Sequence, residues 1–243
     1  MKVWTITDTG VVRQQNQDAC RAEVLSPERV LLVVCDGMGG ARAGNVASDL
    51  AVNTFCDAVL ERLGDPEYSG DVGGILKEAV GVANRVVCHR ADTDPDCLGM
   101  GTTLVAALVT NGTCYVVNVG DSRAYSVSAE GIRRITRDHS LVEDLIERGE
   151  ITRDQARTHP QKNLITRALG AGEQTKADLF EEPGVPGSYL LLCSDGLSNM
   201  VADQEILYEV IHGGQPEDCC RRLLDTALSR GAPDNVTAIL LQM

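Results

Sequence analysis

VLLVVCDGMGG, residues Val30 to Gly40, decides how this chain is read. Val30 to Cys35 is an unbroken apolar run, too short to span a membrane and rich in β-branched side chains, which predicts a core strand covered on both faces. Asp36 then stands where that strand leaves the core. Gly37, Gly39 and Gly40 free the following turn from Cβ sterics, so backbone can approach a ligand and point a carbonyl at it. Taken alone, Asp-Gly signals no more than a tight turn. Here the pattern recurs. Tyr189 to Ser194 runs into Asp195-Gly196, and Cys114 to Val119 runs into Gly120-Asp121-Ser122-Arg123. Three strands ending in an aspartate predict an assembled acidic site.

Outward from that stretch, Lys2 to Thr7 reads as an opening strand, followed by polar TDTGVVRQQNQD (7–18), in which Arg13 is the only charge between Asp8 and Asp18. Helical spacing predicts helices over Asn45–Leu63 and Gly74–His89, the second with Ile75, Ala79, Val82 and Val86 as its buried stripe. Asp92 to Gly101 reads as a loop. Thr102–Val109 and Cys114–Val119 are strands joined through Asn111-Gly112, a strong hairpin signal, and Ala124–Val127 follows as a third. Consecutive antiparallel strands argue against a doubly wound nucleotide fold. Leu141–Arg148 reads as a helix closed by Gly149, and polar Glu150 to Asn163 as a mobile surface flap, taken with the preceding turn as about 145–163. Further helices are expected over Gln204–His212 and Glu217–Arg230, and a last strand over Val236–Leu241. Ending inside a strand, the chain is expected to be one domain, 1–243, without a further C-terminal one.

The 243 residues are 43% hydrophobic, ample for a core, and the net charge of −13 has the wrong sign for a phosphate-backbone binder or an anionic membrane surface. Nine cysteines form no CxxC pair, and three of them lie inside apolar runs, a pattern suited to a reducing cytosol. With no signal peptide and no apolar run near the roughly 20 residues of a membrane helix, the chain is expected to be soluble and cytoplasmic.

Among chemistries, a dinucleotide fingerprint starting at Gly37 would need a small residue where Arg42 stands, and no GK[ST] follows. Ser194 lacks the flanking glycines of a hydrolase elbow, and the histidines and cysteines lack zinc spacing. What remains is carboxylate: Asp18, Asp36, Asp121, Asp195 and Asp234, all at predicted strand ends or in adjoining loops. Oxygen ligands in such number need cationic compensation and select hard ions, Mg²⁺ or Mn²⁺.

The chain resembles the bacterial metal-dependent Ser/Thr protein phosphatases of the PPM or type 2C family. The likeness is carried by TDTGVVRQQNQD (7–18), DGMGG (36–40) with AGNVAS after it, GTT (101–103), GDSRAY (120–125), TRDHS (136–140), HPQKNLITRALG (159–170), LLCSDGLS (191–198) and PDNVTAIL (233–240). It implies an α/β four-layer sandwich, two central antiparallel β-sheets flanked by helices, with a metal cleft at one end. It implies two ions, or three, of Mn²⁺ or Mg²⁺. Asp36 would bridge both metals, the Gly37 carbonyl would complete the second, and Asp195 and Asp234 would hold the first. Asp121 with Asp195 resembles a third-metal pair, Asp18 would bond metal-bound waters, and Arg13 would bind the substrate phosphate. The implied reaction is in-line attack of a metal-bridging hydroxide on phosphoserine or phosphothreonine. The implied partners are phosphorylated proteins, a cognate Ser/Thr kinase and its substrates, met by a monomer with no nucleic acid or membrane partner. Rival readings are a dedicated sporulation or stress-response phosphatase and a catalytically silent binding module. Three positions depart from the family: Gln17 where many relatives have glutamate, Met38 where animal relatives have histidine, and Ala41 for a common histidine. His139 reads as a structural hydrogen-bonder.

Overall fold

A computed structural model describes residues 1–65 and 70–243. Strands β1 (Lys2–Asp8), β2 (Asp18–Ser26) and β3 (Arg29–Met38) lead into two long helices, α1 (Gly40–Gly64) and α2 (Val72–Thr93). Next come β4 (Gly101–Thr102), β5 (Leu104–Thr110), β6 (Thr113–Val119), β7 (Arg123–Ser128) and β8 (Gly131–Arg134). The short helix α3 (Leu141–Glu147) forms where a helix over Leu141–Arg148 was expected, and α4 (Arg153–Arg157) lies within the segment expected as a flap. The chain then forms β9 (Asp178–Pro183), β10 (Tyr189–Cys193), the one-turn α5 (Asp195–Ser198), α6 (Asp203–His212), α7 (Cys219–Ser229) and β11 (Val236–Gln242).

All pairings are antiparallel. One sheet has the order β2-β3-β5-β6-β9 with β4 on β3, and the other β1-β11-β10-β7-β8. Alternation along β3 sets the layers, because successive side chains leave opposite faces. Leu31, Val33 and Cys35 enter a core with Phe55 of α1 and Leu76 of α2. Val30, Leu32 and Val34 instead meet Leu190, Leu192, Ile239 and Leu241 between the sheets. The other faces of β10 and β11 cover a third core with Ile206 of α6 and Leu223 of α7. Helices, sheet, sheet, helices is the four-layer sandwich expected.

Particular expectations are met or corrected. Asn111 (φ 51°) and Gly112 (φ 71°) both take positive φ, the two-residue hairpin turn whose twist matches that of its strands. In α2 the expected Ile75 and Ala79 are buried together with Leu76, Val80, Ala83 and Val87, whereas Val86 is exposed and Val82 only partly covered. Two apolar stripes compete on that helix, and the one facing α1 and the sheet is buried. β3 does not stop at Asp36 but continues to Met38, and α1 begins five residues earlier than Asn45. β7 does not extend the β5–β6 hairpin: residues 120–122 carry the chain across to the other sheet, where β7 pairs with β10. The edge strands β2, β8 and β9 were not foreseen, since edges carry charged and half-exposed residues that blur the period-two pattern.

Candidate metal centre

The antiparallel arrangement brings five acidic residues to one end of the two sheets. Asp36 near the end of β3 lies opposite Asp18 at the start of β2. Asp121 sits in the crossover between sheets, Asp195 opens α5 directly after β10, and Asp234 immediately precedes the Asn235–β11 junction. An open cleft of about 610 Å³ is lined by Asp36, Asp121, Asp195 and Asp234 together with Arg13 and Gly37.

Backbone geometry fixes each carboxylate. The Asp36 amide donates to Thr103 Oγ1 (2.9 Å), and its carbonyl accepts from Thr103 N and Thr102 Oγ1. Thr103 Oγ1 also pairs with Ser122 Oγ (2.7 Å), tying β3 to the turn that carries Asp121. That turn needs Gly120 at φ 107°, where a Cβ would lie 2.6 Å from Thr103 Cγ2. His139 holds the same turn: Nδ1 accepts from Gly120 N–H, so the proton lies on Nε2 and donates to Asp178. Burial lowers the His139 pKa below its ordinary value, so the ring is a neutral structural bonder, as expected.

On the other side Asn235, buried and absent from the expected site residues, acts as a clamp. Its side chain donates to the carbonyls of Thr9 and Gln15 and accepts from Gln17 N–H (2.8 Å), pinning the loop that presents Arg13. Its amide donates to Asp234 Oδ1, whose Oδ2 accepts from Arg13 Nη2 at 2.8 Å. Its carbonyl would lie 1.9 Å from a Cβ at Gly196, so α5 can approach only with glycine beside Asp195. A Cβ at Gly37 would lie 2.0 Å from the Gly44 carbonyl oxygen. That glycine therefore serves close packing of β3 on the first turns of α1. Gln17 lines the cleft beside Gly44 and brings no charge.

Charges of one sign held this close raise one another's pKa, and burial adds to the effect. Burial first, then neighbouring carboxylates, pushes Asp18 up to about 7 and Asp121 up to about 8; Asp36 is raised well above the ordinary range and Asp195 is raised as well. Ser194 Oγ donates to Asp18 Oδ2 at 2.8 Å, and Asp18 Oδ1 and Asp195 Oδ1 are buried with no hydrogen-bond partner among the described residues. Such orphaned acceptors fit a bound cation. Among the described residues no three acidic, histidine or cysteine side chains close into a single cage. The expected residues are thus brought together, and the residues missed were the brace and the clamp, Thr103 and Asn235. Thr103 was visible inside GTT and Asn235 inside PDN, but no spacing rule singled them out.

Residues 11–232 match the family model described as Protein phosphatase 2C. The chain is 36% identical over 237 residues to the serine/threonine phosphatase stp of Listeria innocua, covering 97% of this chain and 93% of that one. The crystal structure of the serine/threonine phosphatase Stp1 from Staphylococcus aureus superposes with a TM-score of 0.92 at 37% identity, covering 100% of this chain and 94% of that one. The catalytic domain of the serine threonine protein phosphatase PstP in complex with two manganese ions gives a TM-score of 0.84 at 36% identity, covering 98% and 96%.

The raised carboxyl pKa values have a consequence for stability. With folded values above the ordinary 3.8, these groups stabilise the fold while protonated, and that contribution is lost as pH rises from about 4 through about 7 for Asp18 and about 8 for Asp121. In EDTA the melting temperature is expected to fall between pH 5 and pH 8. Mn²⁺ at a hundred times its dissociation constant is expected to raise it at pH 8 by about 5 °C or more. A melting temperature in EDTA that holds level across this range, with no response to Mn²⁺, would contradict the charge cluster.

Proposed function

The chain belongs to the protein phosphatase 2C family, and from that premise we propose that it removes phosphate from phosphoserine and phosphothreonine in proteins with the aid of Mn²⁺ or Mg²⁺. The observation that carries this reading is the set of four carboxylates lining one cleft with, among the described residues, a single facing guanidinium, Arg13. Asp36 and the Gly37 carbonyl would hold one cation, and Asp36, Asp195 and Asp234 the other, with Asp121 and Asp195 available to a third. Bound there, the ions supply charge neutralisation at the phosphate and activation of the attacking water.

The chain's own groups do the rest. Arg13 spends one nitrogen on Asp234, its side chain is half exposed, and that carboxylate raises its pKa further, so it stays cationic. Its remaining donors present a planar fork suited to two oxygens of a phosphate dianion. Asp18, fixed through Oδ2 by Ser194, keeps Oδ1 as acceptor for a water hydrogen. Met38 lines the cleft without a titratable group, so protonation of the leaving alkoxide falls to water. Thr103 and Asn235 touch no substrate in this scheme and act by holding Asp36, Asp234 and the Arg13 loop.

We read residues 1–243 as one catalytic domain with 145–163 as its flap, acting as a cytoplasmic monomer on phosphoproteins modified by a partner Ser/Thr kinase. In support, no helix among the described residues is long and apolar enough to cross a membrane, and the nine cysteines are free.

Release of phosphate from a phosphothreonine peptide is expected to require Mn²⁺, to stop with EDTA, and to drop more than about a hundredfold in Asp36→Asn. Wild-type turnover in that folded variant would remove Asp36 from the centre. Arg13→Ala should raise KM by about tenfold or more while lowering kcat less, as for the loss of charged hydrogen bonds to the ground-state phosphate. An unchanged KM would take Arg13 out of phosphate binding.

A further inference from the structure

Asp121 stands on no strand. It lies in the crossover between the sheets, and the turn that carries it has one donor that needs a distant partner. The N–H of Gly120 is buried, and it donates not to a backbone carbonyl but to Nδ1 of His139, 3.0 Å away and 19 residues further along the chain. A buried amide demands an acceptor, so the ring fixes where this turn sits. The backbone closes the pair: His139 N–H donates to the Gly120 carbonyl at 2.9 Å, with Asn118 Nδ2 as a second donor to it at 3.2 Å. Both polar groups of Gly120 are thus engaged by His139.

The turn is gripped on its other side as well. Ser122 Oγ pairs with Thr103 Oγ1 at 2.7 Å, and Arg123 makes a two-pronged pair with Asp138, Nε to Oδ1 at 3.0 Å and Nη2 to Oδ2 at 2.7 Å. Asp138 and His139 therefore straddle Asp121. One holds the residue two places after it, the other the residue immediately before.

An imidazole accepts at Nδ1 only while the proton sits on Nε2. Asp178 Oδ2, 3.2 Å from Nε2, accepts from that N–H and so selects this tautomer. Arg167 Nη1 also lies 3.1 Å from Nε2, but it is a donor itself and gives its hydrogen to Asp178 Oδ1 at 2.9 Å, which orients the carboxylate toward the ring. The His139 side chain is only 3% exposed, so these protein groups rather than water set its state.

Resting on the reading of the cleft as a metal centre, we propose that His139 is a positioning residue for cation binding. By accepting from Gly120 through Nδ1 it aims Asp121 at the ion that Asp121 and Asp195 would share, and it touches neither ion nor substrate. Asp178 acts one step further out, by fixing the tautomer. Without the acceptor the Gly120 N–H must find another partner, and the turn that moves to supply one carries Asp121 with it. Asp36 and Asp234 stand on other strand ends and keep their ions.

Mn²⁺ titration of the full chain, with free Mn²⁺ read from its electron paramagnetic resonance signal, tests this. Asp121→Asn is expected to lose one Mn²⁺ site. His139→Gln, whose amide reaches the place of Nε2 and leaves no acceptor at that of Nδ1, is expected to weaken the same site by about tenfold or more. His139→Asn carries Oδ1 on the same carbon that bears Nδ1, can still accept from Gly120, and is expected to bind there within about threefold of wild type. A ring that merely filled space would reverse that order, since asparagine removes more volume than glutamine. Wild-type binding in His139→Gln beside a lost site in Asp121→Asn, or equal loss in the two His139 variants, overturns the proposal. Asp121→Asn that binds Mn²⁺ as wild type does removes Asp121 as a ligand and the proposal with it, whereas a wild type that binds no Mn²⁺ strikes the reading of the cleft itself. Nitrogen–proton correlation spectra of the imidazole rings need no stable variant, and the chain has four histidines. They are expected to show His139 protonated on Nε2 at neutral pH; a proton on Nδ1 overturns the proposal.

Discussion

Mutual repulsion among carboxylates is the constraint on which the rest of this structure turns. Asp18, Asp36, Asp121 and Asp195 all have pKa values raised by burial and by one another, and among the described residues Arg13 is the only cationic side chain lining the cleft that four of the five acids share. Left to side-chain freedom, such groups would turn to water and separate. They stay together because each is carried by a strand end, or by a turn pinned to one, and because the strands are locked by three apolar layers. Cations relieve the repulsion, so ion binding and stability draw on the same interaction.

The scaffold that resists this repulsion is built from backbone contacts too close for side chains. Gly37 against Gly44, Gly120 against Thr103 and Gly196 against Asn235 each bring an acidic residue's neighbour within a distance that a Cβ would violate. Two buried polar residues complete the frame. Thr103 ties Asp36 to the Asp121 turn, and Asn235 ties the Arg13 loop to Asp234 and so joins the guanidinium to the carboxylate cluster. The close Gly37 contact is made by α1 itself, so the DGMGG motif is as much a packing motif as a ligand motif.

Much of this was legible in the sequence. Apolar runs ending in Asp36, Asp121 and Asp195, the Asn111-Gly112 turn, and the ordered string of motifs gave the layered fold and the acidic residues. What was hidden follows from how signals arise. β2 and β9 are edge strands whose charged residues break the alternation, and nothing local reveals that residues 120–122 carry the chain from one sheet to the other. Asn235 acts on Thr9, Gln15 and Gln17, more than 200 positions away in the chain, a relation no local pattern contains.

The central claim is that the carboxylate cluster is a binuclear metal centre built around Asp36. Anomalous diffraction at the manganese edge, from crystals grown in Mn²⁺, tests it most directly. The account predicts two strong peaks in the cleft with the Asp36 carboxylate between them, one also within bonding distance of Asp195 and Asp234. Peaks absent from this cleft, or a single peak that leaves Asp36 uncoordinated, would contradict it.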